Sequence, residues 1–348
     1  MTHNLTPPPT IPTLLLCILL ITNPTHADPT TISQREINDL EFAKKILADH
    51  YIDPQTLRPP LTALRMQTFI RSLRGGAFIR RFASRPASLP PILAMLPQQI
   101  AYFRPRAFDS TFSTSALRRL QYWRSGKVQG LIIDLRGLQG GTPTETYAKV
   151  LAILDGQGPA TLQWDKNKIL VHATPQPNPI PTRILTSEHT SGLYEAIIHI
   201  LPPTHTQIIG QPTPGRVAAY KEYALPSGDF ISIAHRPLIW RQNTLPYNKP
   251  ILPHHNIDTT FSQLTQSLHL IETGQVRRLF LYTPPTHPQK PIPPNTPTTP
   301  IHTDQALLIA WDSLRALSLL TPTPTQPPPP SQPHTPPTPP LPTSPSRS

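Results

Sequence analysis

"GLIIDLRGLQGG", residues 130–141, is the stretch whose reading decides the fold. Leu131, Ile132 and Ile133 run on without polar alternation, the pattern of a strand covered on both faces of its sheet. Asp134, Leu135 and Arg136 follow, and then the pair Gly140-Gly141. Next comes Thr142-Pro-Thr-Glu145, with capping-box spacing and proline at the first helical position, after which Tyr147, Val150, Leu151 and Leu154 recur on one face. Gly156 is placed to end that helix. Strand, turn and helix in this order make one unit of an α/β protein. A glycine pair in such a turn lets backbone N–H groups converge at the positive end of a helix dipole, where an oxyanion can be held. A tight turn needing positive φ asks for the same residues, so the glycines alone leave both readings open.

The construction returns downstream, where "RIL" (183–185) enters "TSEHTSG" and a helix whose face is Tyr194, Ile197, Ile198 and Leu201. "IAYFRPRAF" (100–108) and "TQIIG" (206–210) read as further strands, and "STSALRRLQYW" (113–123) as a helix. "KEYALPSGDFISIA" (221–234) reads as two strands about the turn Pro226-Ser-Gly228. "FSQLTQSLHLI" (261–271) and "DQALLIAWDSLRAL" (304–317) are closing helices. On the N-terminal side, Ser33-Gln-Arg-Glu36 has capping-box spacing, and Ile37, Leu40, Ala43, Ile46 and Leu47 follow at helical intervals up to Tyr51. A second amphipathic stretch, Leu61 to Leu73, stops at Gly75-Gly76. "RPASLPPILAMLPQQ" (85–99) is broken by proline and reads as a linker, so the core is expected to begin near Ile100.

The chain of 348 residues holds 50 prolines and is 37% hydrophobic, so part of it is expected not to pack. "LLLCILLI" (14–21), followed by Thr25-His-Ala27, reads as a signal peptide, too short to span a bilayer. This implies a periplasmic or secreted protein with no stable membrane span after cleavage. Cys17, the single cysteine, lies inside that run; a mature chain from residue 28 then has no disulfide, thiolate catalysis or cysteine-ligated zinc. The formal charge of +12 sits outside the signal segment, with arginines gathered between Arg58 and Arg85. No aromatic residues interleave there in a base-stacking pattern, so a solvated basic face is expected and nucleic acid is not. The Pro/Thr-rich stretch 321–348 has little to bury and is expected to be disordered.

Several of these stretches together resemble the tail-specific, or C-terminal processing, serine peptidases. "GLIIDLRGLQGG" is similar to the family's Asp-Leu-Arg-Asn-x-x-Gly-Gly signature with Gly137 in place of Asn. "LEFAKKILADHYIDP" (40–54) looks like its N-terminal helix, "IAYFRPRAF" like its first core strand, and "ALPSGDFISIA" (224–234) like its Leu-Pro-x-Gly hairpin. "GQPTPGR" (210–216) resembles its Gly-Glu-x-Thr-x-Gly-Lys turn, and "DQALLIAW" its closing helix. The resemblance implies a crotonase-like αβ peptidase core, a serine nucleophile at a helix start with a lysine base, no metal and no cofactor. It also implies that amides of Gly140 and Gly141 help form an oxyanion hole. The organisation that follows is a signal peptide (1–27), an N-terminal helical region (28–82), a proline-rich linker (83–99), the core (100–320) and the tail (321–348). The family's PDZ module does not fit into the linker.

The site residues depart from the family. Anchored on Glu195, its serine-rich motif places the nucleophile on Gly192, the lysine on Arg216 and a following glutamine on Tyr220. A guanidinium stays protonated at any workable pH, so Arg216 is no general base, and Gly192 carries no nucleophile. Ser191 is one residue early, which turns a side chain by about 100° at a helix start. Its candidate bases are Lys221 and His189. His254-His255 replaces the family's Pro-Asp; neighbours on a strand point apart, so a shared metal is not expected.

Three functions follow as expectations. The first is an exported pseudopeptidase that binds an unstructured polypeptide, a peptide or a cell-envelope component in the former active-site cleft. The second is a divergent serine endopeptidase using Ser191, and the third a basic cell-envelope scaffold. Restoring both Gly192→Ser and Arg216→Lys is expected, from the sequence, to restore slow hydrolysis.

Overall fold

The structure is a computed structural model that describes residues 33–57, 65–80, 89–176, 179–275, 279 and 304–320. The signal segment, Cys17, the Pro/Thr-rich tail and much of the arginine-rich stretch lie outside the described residues.

Its central element is a six-stranded sheet. The chain contributes β1 (Ala77–Arg80), β2 (Ile92–Leu96), β3 (Ile100–Arg104), β4 (Gly130–Asp134), β5 (Ala160–Trp164), β6 (Asn167–Val171), β7 (Thr182–Thr186), β8 (Thr206–Gly210), β9 (Ala219–Ala224), β10 (Phe230–Arg236), β11 (Ile239–Trp240), β12 (Asn243–Thr244) and β13 (His255–Asn256). Its helices are α1 (Gln34–His50), α2 (Met66–Ser72), α3 (Thr114–Tyr122), α4 (Glu145–Asp155), α5 (Leu193–Ile200), α6 (Phe261–Glu272) and α7 (Gln305–Leu320). The large sheet has the order β13-β8-β7-β4-β3-β2, parallel except for β2.

Burial of β4 on both faces follows from which side chains alternate. Leu131 and Ile133 pack with α3, α4 and α5 side chains such as Leu120, Leu151 and Ile197, whereas Ile132 packs on the opposite side against Leu307 and Leu314 of α7 and Ile271 of α6. A continuous apolar run was needed because neither face meets water. The fold is mixed α/β, with helices on both faces of a mostly parallel sheet.

A second core lies over a three-stranded sheet, β1-β10-β9, against which α1 and α2 bury Leu40, Leu47, Met66 and Phe69. Ser33 caps α1 by accepting from the Glu36 amide, as its spacing predicts. A third sheet, β12-β11-β5-β6, carries a hairpin that the sequence pattern did not announce.

Three expectations are corrected. Ile92–Leu96, expected to be linker, is an edge strand running antiparallel to β3, so the core begins before Ile100. Its flanking prolines Pro91 and Pro97 lie outside the ladder, where a missing N–H costs nothing. Ala77–Arg80, read as part of a helical region, is a strand paired to β10. Finally, α4 starts at Glu145 and is capped by Thr144, whose side chain accepts from the Tyr147 amide; Thr142 instead donates its hydroxyl to the Tyr220 carbonyl. The helix end is as expected, with Gly156 at φ +71°.

Candidate active site

The Asp-Leu-Arg of the opening stretch is a buried ionic lock. Asp134, at the end of β4, accepts from Tyr102 Oη at 2.8 Å, from Arg104 Nη1 at 3.2 Å, and from Arg136 Nε and Nη2 at 3.0 and 2.7 Å. Arg136 reaches on to Asp304 with two parallel bonds of 2.8 and 2.9 Å. Asp304 in turn caps α7 by accepting from the Leu307 amide. Burial alone would raise the Asp134 carboxyl, but Arg136 and Arg104 outweigh it and hold its pKa down at about 2. Residues 134 and 304 are thus joined through one guanidinium, which ties the last helix to the central sheet.

Glu195 does the corresponding work for the second turn. It is fully buried on α5 and accepts from the Thr213 hydroxyl, from the Gly215 amide at 2.8 Å and from the Arg216 amide at 2.6 Å. Burial pushes its carboxyl up to about 7, against the pull of those three donors. The "GQPTPGR" turn is therefore held against the start of α5, which brings positions 192 and 216 together: the Gly192 amide donates to the Arg216 carbonyl at 3.0 Å.

At Gly192, the N-cap of α5, the backbone has φ +68° and ψ −130°, a region that residues with a side chain enter only under strain. A Cβ built there overlaps the Gly140 carbonyl oxygen and lies 2.7 and 2.8 Å from the Gly140 Cα and carbonyl carbon. That carbonyl also accepts from the Leu193 amide at 3.0 Å, so the N–H following the family's nucleophile position is used internally. The turn expected to supply the oxyanion hole is covered as well. A Cβ on Gly140 would meet the Phe78 ring at 2.6 Å, and one on Gly141 would meet Leu193 Cδ1 at 2.8 Å.

Arg216 is buried and occupied. Its Nη1 donates to Asn248 Oδ1 at 3.0 Å, its Nε to the Arg74 carbonyl at 3.3 Å, and its guanidinium lies over the Tyr247 ring at 5.3 Å. Tyr220 donates to the Gly75 carbonyl at 2.5 Å, and its ring leans on Phe78 at a centroid distance of 5.9 Å. Burial drives the Tyr220 phenol far above its ordinary range. The segment Arg74–Phe78, whose role the sequence pattern did not signal, thus packs against Arg216, Tyr220 and Gly140.

Ser191 is 0% exposed. Its hydroxyl is close enough to Tyr220 to act on that phenol, yet makes no hydrogen bond of ordinary geometry. Neither candidate base is beside it. Lys221 is exposed, on the face of β9 opposite Tyr220, with its ammonium 5.2 Å from the Tyr223 ring centroid. His189 is exposed next to Glu188. His254 and His255 are surface residues, with His254 Nδ1 accepting from the Ile208 amide. Among the described residues no group of three or more His, Cys, Asp or Glu is placed to hold a metal.

This core matches the model of peptidase family S41 over residues 99–257, which include both glycine-bounded turns and Glu195. Residues 99–257, somewhat under half of the chain, are thus similar to the core of an S41 peptidase. Among solved structures the chain is similar to a lipoprotein from Streptococcus agalactiae, with 17% identity over 71% of this chain and 99% of that one and a TM-score of 0.38. It is similar also to a putative peptidase from Parabacteroides merdae (14% identity, 70% and 97% covered, TM-score 0.39). A third is the photosystem II D1 C-terminal processing protease (18% identity, 53% and 48% covered, TM-score 0.35). No curated protein matches the chain.

Proposed function

We propose that this S41 core is a pseudopeptidase: an exported protein that keeps the peptidase scaffold, binds an unstructured polypeptide or a cell-envelope component, and does not hydrolyse it. One observation carries the reading. The nucleophile position is a glycine whose Cβ direction is filled by the Gly140 carbonyl, so the backbone leaves no room for the missing serine. Acyl transfer needs a nucleophile, a base within hydrogen-bond reach and donors aimed at the developing oxyanion. Here the first is absent, Arg216 is spent on Asn248 and the Arg74 carbonyl, and the Leu193 amide is spent on Gly140. Export rests on the apolar run at residues 14–21.

The test is a fluorophosphonate probe together with a fluorescently labelled unstructured polypeptide. The native protein should bind the polypeptide without shortening it and should take up no probe. Labelling at Ser191, or cleavage that disappears in Ser191→Ala, would make the protein an active peptidase. Failure of the polypeptide and of isolated envelope fractions to bind would remove the binding half of the reading.

A further inference from the structure

Among the described residues the three sheets end in six edge strands, and five of these are short or charged. β12 and β13 are two residues long, β1 is four and ends on Arg80, β9 carries Lys221 and Glu222, and β6 carries Lys168. Short length and charge are what keep an open row of N–H and C=O groups from pairing with another chain. The edge strand β2, "ILAML", has neither: it is five residues without a charge, bounded by Pro90, Pro91 and Pro97.

The register fixes which backbone groups of β2 face outward. The Gln99 carbonyl accepts from the Gln129 amide on the β4 side, so across the trans peptide the Ile100 N–H points to the β2 side. Ile100, Tyr102 and Arg104 therefore bond to their partners Leu96, Ala94 and Ile92, while the N–H and C=O of Leu93 and Met95 face away from the sheet. Among the described residues the one bond made on that side is from Arg119 Nη1 to the Leu93 carbonyl, at 3.4 Å. Met95 is 48% exposed. Beside this edge Pro91, Leu93, Ser115, Ala116 and Arg119 line a groove of about 490 Å³ between β2 and α3. At the other end of the strand Trp311 Nε1 donates to the Pro97 carbonyl at 3.2 Å, and the Arg315 guanidinium lies over that indole at 5.5 Å. Neither Arg119 nor Arg315 has an ion pair among the described residues.

We propose that the outer edge of β2 is where the protein takes up an extended polypeptide, which joins the large sheet as a seventh strand and carries acidic side chains toward Arg119 and Arg315. This rests on the reading that the protein binds an unstructured polypeptide, and adds the place and the manner. An incoming strand meets the N–H and C=O groups of Leu93 and Met95 already aligned for a ladder, and its alternate side chains enter the groove against α3. A second copy of β2 would bring two more guanidiniums to the same seam and no carboxylate, in a chain of net charge +12. Like charges set opposite one another oppose pairing, so the edge suits an acidic partner and not a copy of itself.

The probe is a fluorescein-labelled ten-residue peptide that alternates valine and threonine around a central glutamate, titrated by anisotropy into the full chain. It should bind. N-methylation of one alternate set of its amides should weaken binding about tenfold or more, and methylation of the other set should not, because only one set faces β2. Met95→Pro removes one outward N–H and should weaken binding about tenfold. Arg119→Glu should turn the preference toward a peptide with lysine in place of the glutamate, which keeps the test decisive if the proline variant does not fold. Both changes are at exposed residues, and the melting temperature should stay at the native value. Binding that ignores the methylation set and both variants overturns the edge as the site. If the unstructured polypeptide binds and the peptide does not, the edge alone is overturned; if neither binds, the wider reading falls with it. Dimerisation of the free protein that Met95→Pro abolishes would give the edge to a second copy and overturn the proposal.

Discussion

Asp134 to Arg136 and Ser191 to Arg216 belong to the same core and carry equally recognisable motifs, yet the first is held by paired charges and the second by a buried carboxylate on backbone amides. In the first, Asp134, Arg136 and Asp304 all have their charged partners within 3.2 Å. In the second, Glu195 holds the Thr213–Arg216 turn in register with α5, position 192 is a glycine with no room for a Cβ, and Arg216 and Tyr220 are buried side chains. The difference teaches that two turns of one core can be held by different means, a guanidinium shared between two carboxylates in the first and a single buried carboxylate accepting from its neighbours in the second.

The largest break in that comparison is expected at Asp134. Asp134→Ala leaves Arg104 and Arg136 buried beside an empty site, which should cost about 3–5 kcal/mol in urea unfolding. A loss below about 1 kcal/mol would mean that the lock contributes little. Next comes Gly192→Ser, where the strained backbone adds roughly 1–3 kcal/mol and overpacking against Gly140 a similar amount. Gly192→Ser combined with Arg216→Lys should therefore yield a destabilised protein without probe labelling, in place of the slow hydrolysis that the sequence leads one to expect. Efficient labelling of a stable double variant would show that the turn opens.

The pH dependence sharpens the same contrast. Glu195 has its folded pKa pushed up to about 7 against an ordinary value of 4.5, so between those values the native state holds the extra proton and stability falls as pH rises, by roughly 3 kcal/mol. Asp134 acts oppositely: with a folded value of about 2 against 3.8, its contribution is present above pH 4 and is lost as pH falls toward 2. Burial also lowers the pKa of His199 and of His235, which adds a rising slope near pH 6 shared by native protein and variant. Chemical denaturation from pH 4 to 8, compared with Glu195→Gln, isolates the falling slope; identical profiles would exclude it. Smallest of all is Lys221→Ala, which touches only the Tyr223 ring and should change stability by less than about 0.5 kcal/mol.

Much of the αβ core was legible because its signals are local. The unbroken apolar run of β4, the helical stripe of α5 and the stop at Gly156 each depend on a few consecutive residues, and each stands where its pattern predicts. Residues 92–96 were not legible: five apolar residues between prolines read as linker until β3 is beside them to pair with. Nor was β1, whose four residues become a strand only against β10. For the site, the expected register of Gly192, Arg216 and Tyr220 rests on Glu195, whose carboxylate binds the turn that contains Arg216.

What the sequence determined by itself was the order of elements and the likeness of the core to a peptidase family; these are matters of residue identity and short-range period. Only the tertiary structure decided how closely the two glycine turns pack on one another. Phe78, Gly140, Gly192 and Tyr220 are far apart in the chain, and no local pattern records that Phe78, Tyr220 and Gly192 all pack against Gly140. The same holds for Arg136 and Asp304: whether a buried charge finds its partner depends on what long-range packing brings beside it.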